Sequence, residues 1–420
     1  MSEAERTEAE RPKRKPNTVE RKQVKDARRS QRKRAPSPKA PVEPPEVNCN
    51  GAVSADLEPS LARIEQAAAG QAARTEELLD LVSRATHLRE GAEQALQVRR
   101  DNVVSVREPL ALICQAQRSG GTLLARLFDG HPQCHAHPHE LHIGQRRPHT
   151  WPDLSLDEPP ESWFETLREE YIPGFFSRGR RVIPLKAPDR PHQQVGRHPF
   201  ILPPDLQRLL FLDEVERRSP ISSEREILDC YMTSLFNAWL DNQNLYTGPK
   251  RWVVAFSPRR AWGDGLDRYF QIYPEGRLIS ILRDPWSWFT SAQGRDPKAD
   301  PDILLEAWKR SAGEMLRASR EHGDQFYVAR FDELVLDTQT AMRRLSKFLG
   351  IDYSPKLAAP TFNDFPVGAN SSFDTKEVGV VKDPVQRYDK VLSDAQKDLI
   401  KTGCEELYQE TLALAEQSPN

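Results

Sequence analysis

Apolar positions along the chain fall into three regimes. Residues 1–54 offer almost nothing to bury: charge, proline and small polar residues dominate, ending in APSPKAPVEPPEVNCNG. That composition predicts a disordered tail. Residues 55–105 change to helical spacing. Leu57, Leu61, Ile64 and Ala68, then Leu78, Leu81, Ala85, Leu88, Ala92 and Ala95, recur at intervals of three and four, with Gly70, Gln71 and Thr75 interrupting the stripe. The pattern predicts two amphipathic helices or one flawed coiled coil. Such a segment packs on the rest of the chain or joins copies into a homo-oligomer through residues 57–96.

From about residue 108 short apolar runs alternate with helical stretches. Five runs read as buried parallel strands: LALICQA (110–116), RVIPLK (181–186), RWVVAF (251–256), RLISIL (277–282) and QFYVAR (325–330). Segments such as TLLARLFDG, ILDCYMTSLFNAWLDNQ and ILLEAWKRSAGEMLRASREHG lie between them. Strands alternating with helices predict an α/β fold with a parallel sheet covered on both faces. Ligands of such sheets sit beyond the carboxyl ends of the strands.

Composition narrows the class. No run of about 18 apolar residues is present, which predicts no membrane span. The opening MSEAERTEAERPKRKP lacks the apolar centre of a secretory signal, so a cytoplasmic location is expected. Five cysteines with no CxxC pair argue against a disulfide framework or a structural zinc cluster. Residues 1–40 hold 14 Lys/Arg against 6 Asp/Glu, whereas the whole chain has a formal charge of −2. The tail is therefore basic and the remainder mildly acidic; the tail either meets an anionic partner or stays solvated.

The first predicted strand runs into Gln117-Arg118-Ser119-Gly120-Gly121-Thr122 and a helix beginning near Leu123. Two glycines let the backbone approach an anion, a new helix offers unpaired amides, and Arg118, Ser119 and Thr122 add donors. This is a phosphate cradle on physical grounds. It is not the nucleotide-kinase loop GxxxxGK[ST], which needs a Lys on the phosphates; no Lys lies between residues 102 and 185. ATP or GTP hydrolysis and metal-dependent phosphoryl transfer are disfavoured accordingly.

QAQRSGGTLLARLFDGHPQ resembles the 5′-phosphosulfate loop of sulfotransferases, where R-S-G-T-T-L-L and a downstream H-P recur, with Gly121 in place of the commoner Thr or Ser. LISILRDPWSWFTSAQ (278–293) resembles the family's 3′-phosphate motif, a strand ending in Arg with a Ser eight residues later, here Arg283 and Ser291. ARFDELVLDTQTAMRRLSKFLGIDY (329–353), NSSFDTKEVG (370–379) and QRYDKVLSDAQKDLIKTGCEELYQ (386–409) resemble its later segments. The likeness, to the bacterial and protein-tyrosine branches especially, covers residues 108–410, with no matched motif over 145–250.

The resemblance implies a P-loop-NTPase-like five-stranded parallel sheet flanked by helices, as a sulfotransferase domain over residues 106–415. It implies 3′-phosphoadenylyl sulfate (PAPS) as sulfuryl donor, PAP as product, and no metal. The donor's 5′ side falls to Arg118, Ser119, Gly120, Gly121, Thr122 and Leu123, its 3′-phosphate to Arg283 and Ser291. A Glu beyond the H-P pair serves as base in related enzymes, and Glu140 is the nearest match; His139 and His142 are alternatives on titration grounds. The run HAHPHELH has no established metal-ligand spacing.

A Lys ending a central strand is the family's usual cation, and Lys186 in RVIPLKAP fits that description. RWVVAFSPRR (251–260) resembles a K-[ST]-P element in which Phe256 stands where Lys is usual. On that alignment Lys186, Arg259 or Arg260 substitutes, or the chain is an inactive nucleotide-binding scaffold. The implied acceptor is a hydroxyl, of a carbohydrate or glycan by analogy with bacterial members. Trp151, Trp163, Phe164, Tyr171, Phe175 and Phe176 either stack on such a sugar or belong to the core.

Overall fold

The computed structural model describes residues 57–144, 150–178, 180–181, 197–198, 200–367, 379–382, 385 and 387–417. The chain divides into two compact units, Met1–Thr86 and His87–Asn420. The expectation for residues 1–54 lies outside the described residues.

Helix α1 spans Leu57–Asp101. It is one continuous helix, where two segments or a flawed coiled coil were expected. Gly70 does not break it, since a single helical glycine costs only about 1 kcal/mol. The apolar stripe is left uncovered in the single chain: Leu61, Ile64, Leu78 and Leu88 are all exposed. In the second unit the helix end is fixed by polar contacts. Arg100 forks onto Asp213 at 2.6 and 2.9 Å, and Arg99 donates to the Asn237 carbonyl at 2.7 Å.

The second unit is built on a five-stranded, all-parallel sheet. Along the chain run β1 (Leu110–Ile113), α2 (Gly121–Leu127), β2 (Cys134–Glu140), α3 (Pro160–Leu167) and α4 (Tyr171–Arg178). A two-stranded ribbon, β3 (Arg180–Arg181) with β4 (Arg197–His198), precedes α5 (Pro204–Arg218) and α6 (Glu224–Ala238). Then come β5 (Trp252–Phe256), α7 (Asp264–Ile272), β6 (Arg277–Leu282), α8 (Pro285–Arg295), α9 (Pro301–His322) and β7 (Phe326–Arg330). Helices α10 (Phe331–Leu336) and α11 (Thr338–Leu349) follow, and Asp394–Gln417 is a late helix.

The sheet order is β2-β5-β1-β6-β7. Side chains alternate between its faces with the period of two that a strand imposes. Leu110, Leu112, Val253, Ala255, Leu278 and Val328 join one core; Ala111, Ile113, Val254, Phe256, Ile279 and Tyr327 join the other. Both faces are buried, which is why these strands read as unbroken apolar runs.

Four of the five expected strands occupy the sheet. The fifth place belongs to β2, CHAHPHE, not to RVIPLK. Residues 182–186 lie outside the described residues, and Arg181 pairs antiparallel with Arg197 in the ribbon. Strand β2 escapes the apolar pattern because it is an edge strand carrying three histidines and Pro138. An edge tolerates a proline, and the register with β5 shifts between Ala136 and Glu140.

Candidate functional site

All five strands are parallel, so their carboxyl ends share one edge of the sheet. The chain crosses from β5 to β6 over the central β1, which leaves the crevice of a topological switch there. The loop after β1 occupies that crevice. Gly120 takes the left-handed conformation with φ 102°, and Arg118 has φ 71°. A Cβ on Gly120 would lie 2.8 Å from the Phe331 ring; one on Gly121 would lie 2.2 Å from the Phe256 ring and 2.4 Å from the Gln115 amide nitrogen. Only glycine fits either place.

Neighbouring elements hold this loop open. Trp288 donates its indole N–H to the Gln117 carbonyl at 2.8 Å, and Ser311 accepts from the Ala116 amide at 3.0 Å. Arg283, directly after β6, donates to the Arg118 carbonyl at 2.8 Å and lies 4.2 Å over the Phe331 ring. Arg118 approaches Ser291 of α8, Nε to Oγ, at 3.4 Å. Two motifs 165 residues apart therefore meet in one cluster.

The cluster is cationic and poorly solvated. Burial pulls Arg283 down to about 10, with Arg118 and Arg387 adding repulsion and Asp284 opposing. Burial and Arg295 lower Arg118, with Glu140 opposing. Like charges converging in a desolvated crevice are costly unless an anion joins them. Both polar atoms of the buried Gln115 amide lack a partner among the described residues, and buried polar groups are rarely left so. A phosphate-bearing donor fits the glycine cradle and this charge. Gln115 went unnoticed in the sequence, where a Gln before the loop carries no signal.

The candidate base lies at the end of β2. Glu140 pairs with Phe256 in the sheet and its Oε2 is 3.3 Å from Nε2 of His142. The His139 ring packs 4.5 Å from Tyr171 and 5.3 Å from Phe175. Burial pulls His139 down to about 4, with Glu140 opposing and His142 reinforcing the shift. An imidazole that acidic is no better a proton acceptor than an ordinary carboxylate, so His139 loses the advantage expected of a histidine.

Behind them is a buried polar group that the sequence did not reveal. The fully buried Glu169 meets His137 at 3.0 Å and accepts the His142 amide at 2.7 Å. Burial by itself would raise the Glu169 carboxyl; His137 and the hydrogen bonds outweigh it and hold it below the usual range. Arg260, expected as a substitute cation, is wholly committed elsewhere. It is buried and donates to Ser257 Oγ at 2.9 Å and to the carbonyls of Leu141 and Ile143 at 3.0 and 3.1 Å. Arg259 is exposed, and Lys186 lies outside the described residues.

The aromatic candidates divide. Trp163 and Phe164 are core residues, whereas Tyr171 and Phe175 stand beside His139. The His-rich segment is largely structural: His131 sits 2.9 Å from the Asp352 carbonyl, and His135 packs on Phe236. Among the described residues, Asp267, Glu321 and His322 come close enough to share a cation, but Arg317 already bridges the two carboxylates at 3.2 and 3.0 Å. Cys114, Cys134, Cys230 and Cys404 are buried free thiols.

Residues 198–355 match the profile of the Sulfotransferase family, a span that holds both Arg283 and Ser291. No curated protein sequence matches the chain. Solved structures that it resembles include the sulfotransferase domain from the curacin biosynthetic pathway, at 18% identity over 70% of this chain and 96% of that one, TM-score 0.40. The sulfotransferase domain of the Synechococcus PCC 7002 olefin synthase is 16% identical over 74% and 98%, TM-score 0.40. A sulfotransferase from Alicyclobacillus acidocaldarius is 16% identical over 75% and 98%, TM-score 0.35. Over residues 198–355 the chain is similar to the sulfotransferase family.

Proposed function

We propose that this chain moves a sulfuryl group from PAPS to an acceptor hydroxyl, releasing PAP. The observation that carries the reading is the convergence of Arg118, Arg283 and Ser291 beside a loop that only glycines can form. When bound, PAPS supplies an activated sulfuryl group on a phosphate leaving group. The loop from Arg118 to Leu123 holds its 5′ side, and Arg283 with Ser291 its 3′-phosphate. Glu140, with His142 against its carboxylate, takes the acceptor proton. Lys186 is the proposed cation toward the departing phosphate oxygen, with Arg259 second. No metal ion enters this scheme.

A carbohydrate hydroxyl is the proposed acceptor. Supporting it are the Tyr171 and Phe175 rings near Glu140, flat faces on which a sugar can stack. The competing reading is a nucleotide-binding scaffold without turnover, favoured by Phe256 at the place of the usual Lys. Calorimetry with PAP tests both. Wild type is expected to bind, and Arg283→Ala and Arg118→Ala each to weaken binding by about 2 kcal/mol or more, as for lost charge-assisted hydrogen bonds. Folded wild type that ignores PAP overturns the reading. Binding without transfer of labelled sulfate to any acceptor supports the scaffold.

A further inference from the structure

The segment carrying Glu140 is gripped from two sides by buried charges. On one side Arg260 donates to the carbonyls of Leu141 and Ile143 at 3.0 and 3.1 Å. On the other, Oε2 of Glu169 accepts the His142 amide between them at 2.7 Å. The other oxygen, Oε1, faces His137 Nε2 at 3.0 Å and the Tyr231 hydroxyl at 3.4 Å. One carboxylate thus reaches both flanks of Glu140, at residues 137 and 142. The Glu169 and His137 side chains have no solvent exposure, whereas the Glu140 side chain is 30% exposed.

His137 completes the arrangement. Its Nδ1 lies 2.8 Å from the His139 carbonyl, with the His139 amide farther away at 3.4 Å. Its Nε2 faces the Glu169 carboxylate and its Nδ1 lies against the His139 carbonyl and amide, so the ring ties Glu169 to the backbone just before Glu140. A buried polar contact of this kind adds little net stability, because desolvation offsets attraction, yet it fixes geometry. The need for fixed geometry here is local: the ladder with β5 is interrupted between Ala136 and Glu140, where Pro138 lies, and resumes only at Glu140 against Phe256.

We propose that Glu169, hydrogen-bonded to His137 and set opposite Arg260, is the positioning residue that aims Glu140 at the acceptor. This rests on the sulfotransferase reading for what Glu140 does, but not for how it is held. Charged and titratable groups around the carboxylate are His137 and His142 of β2 and its extension, Tyr231 of α6, Tyr171 of α4 and Arg260 after β5.

The test uses the full chain labelled with nitrogen-15. In wild type the His142 amide, donated to Glu169, is expected to exchange slowly. In Glu169→Gln the amide group cannot accept from both partners. His142 exchange is expected to speed up at least about tenfold and single-turnover sulfuryl transfer to fall at least about tenfold, with PAP affinity within about twofold. A His142 amide that exchanges freely in folded wild type overturns the proposal, whether or not the variant folds. So does a variant that binds PAP and keeps the His142 amide protected. Wild type that binds PAP without transferring sulfate sinks the functional reading alone, since amide exchange still decides this one.

Discussion

At the scale of single residues, Gly121 and Phe256, two positions at which the sequence departs from the sulfotransferase motifs it resembles, meet in space. The Phe256 ring, together with the Gln115 amide, fills the volume that a Cβ at 121 would need. The pair should therefore couple. Gly121→Ala alone is expected to cost about 2 kcal/mol through overpacking, and Phe256→Ala alone about 3 kcal/mol through the cavity it opens. In the double variant the ring that clashes is gone, so the total should fall short of the sum by at least about 1 kcal/mol. Urea unfolding of the four proteins measures this; simple additivity would show that the two positions act independently. Arg260 teaches the same lesson from the other side. As a residue type it is a candidate cation, but its buried guanidinium already serves Ser257, Leu141 and Ile143.

At the scale of elements, strands β1, β5, β6 and β7 were legible because both faces of each are buried, leaving an apolar run. β2 was not, because its polar side chains are placed by partners distant in sequence: His137 meets Glu169, His135 packs on Phe236 and His139 on Tyr171. Sequence shows which residues dislike burial, not which partner compensates them. Helix α1 illustrates the opposite limit. Gly70 and Gly91 have nothing within 4 Å of a Cβ position and ordinary helical dihedrals, so both sites accept alanine without strain. Gly70→Ala with Gly91→Ala is expected to stabilise the helix by about 1 kcal/mol per site. Circular dichroism melting reads this directly, and a loss of helicity would show that a glycine is needed there.

For the whole molecule, the buried histidines set an acid limit. Burial, reinforced by Lys250, pulls His135 down to about 3, and burial leads the shift of His139 to about 4. Both rings are neutral in the folded and unfolded chains at neutral pH, so they contribute no difference there. Below about 6.5 the unfolded chain takes up protons that the folded one refuses, and stability falls with pH. At about pH 5 each histidine is expected to have cost about 2 kcal/mol. Urea midpoints taken between about pH 7.5 and 5 test this, with His135→Leu expected to flatten the slope. A flat wild-type profile would mean that these rings are solvated.

Periodicity determined the α/β class, the parallel sheet and four of its five strands, because burial on two faces writes itself into residue order. Local spacing made the glycine loop and the Arg283–Ser291 pair legible, since each is contained within one strand, the turn after it and the helix that follows. What only the tertiary structure decided is everything that depends on partners far apart in the chain. It placed Arg283 against the Arg118 carbonyl, made Phe256 the reason for Gly121, withdrew Arg260 from chemistry, and put Glu169 behind Glu140. Those contacts obey distance in space, and no regularity along the sequence records them.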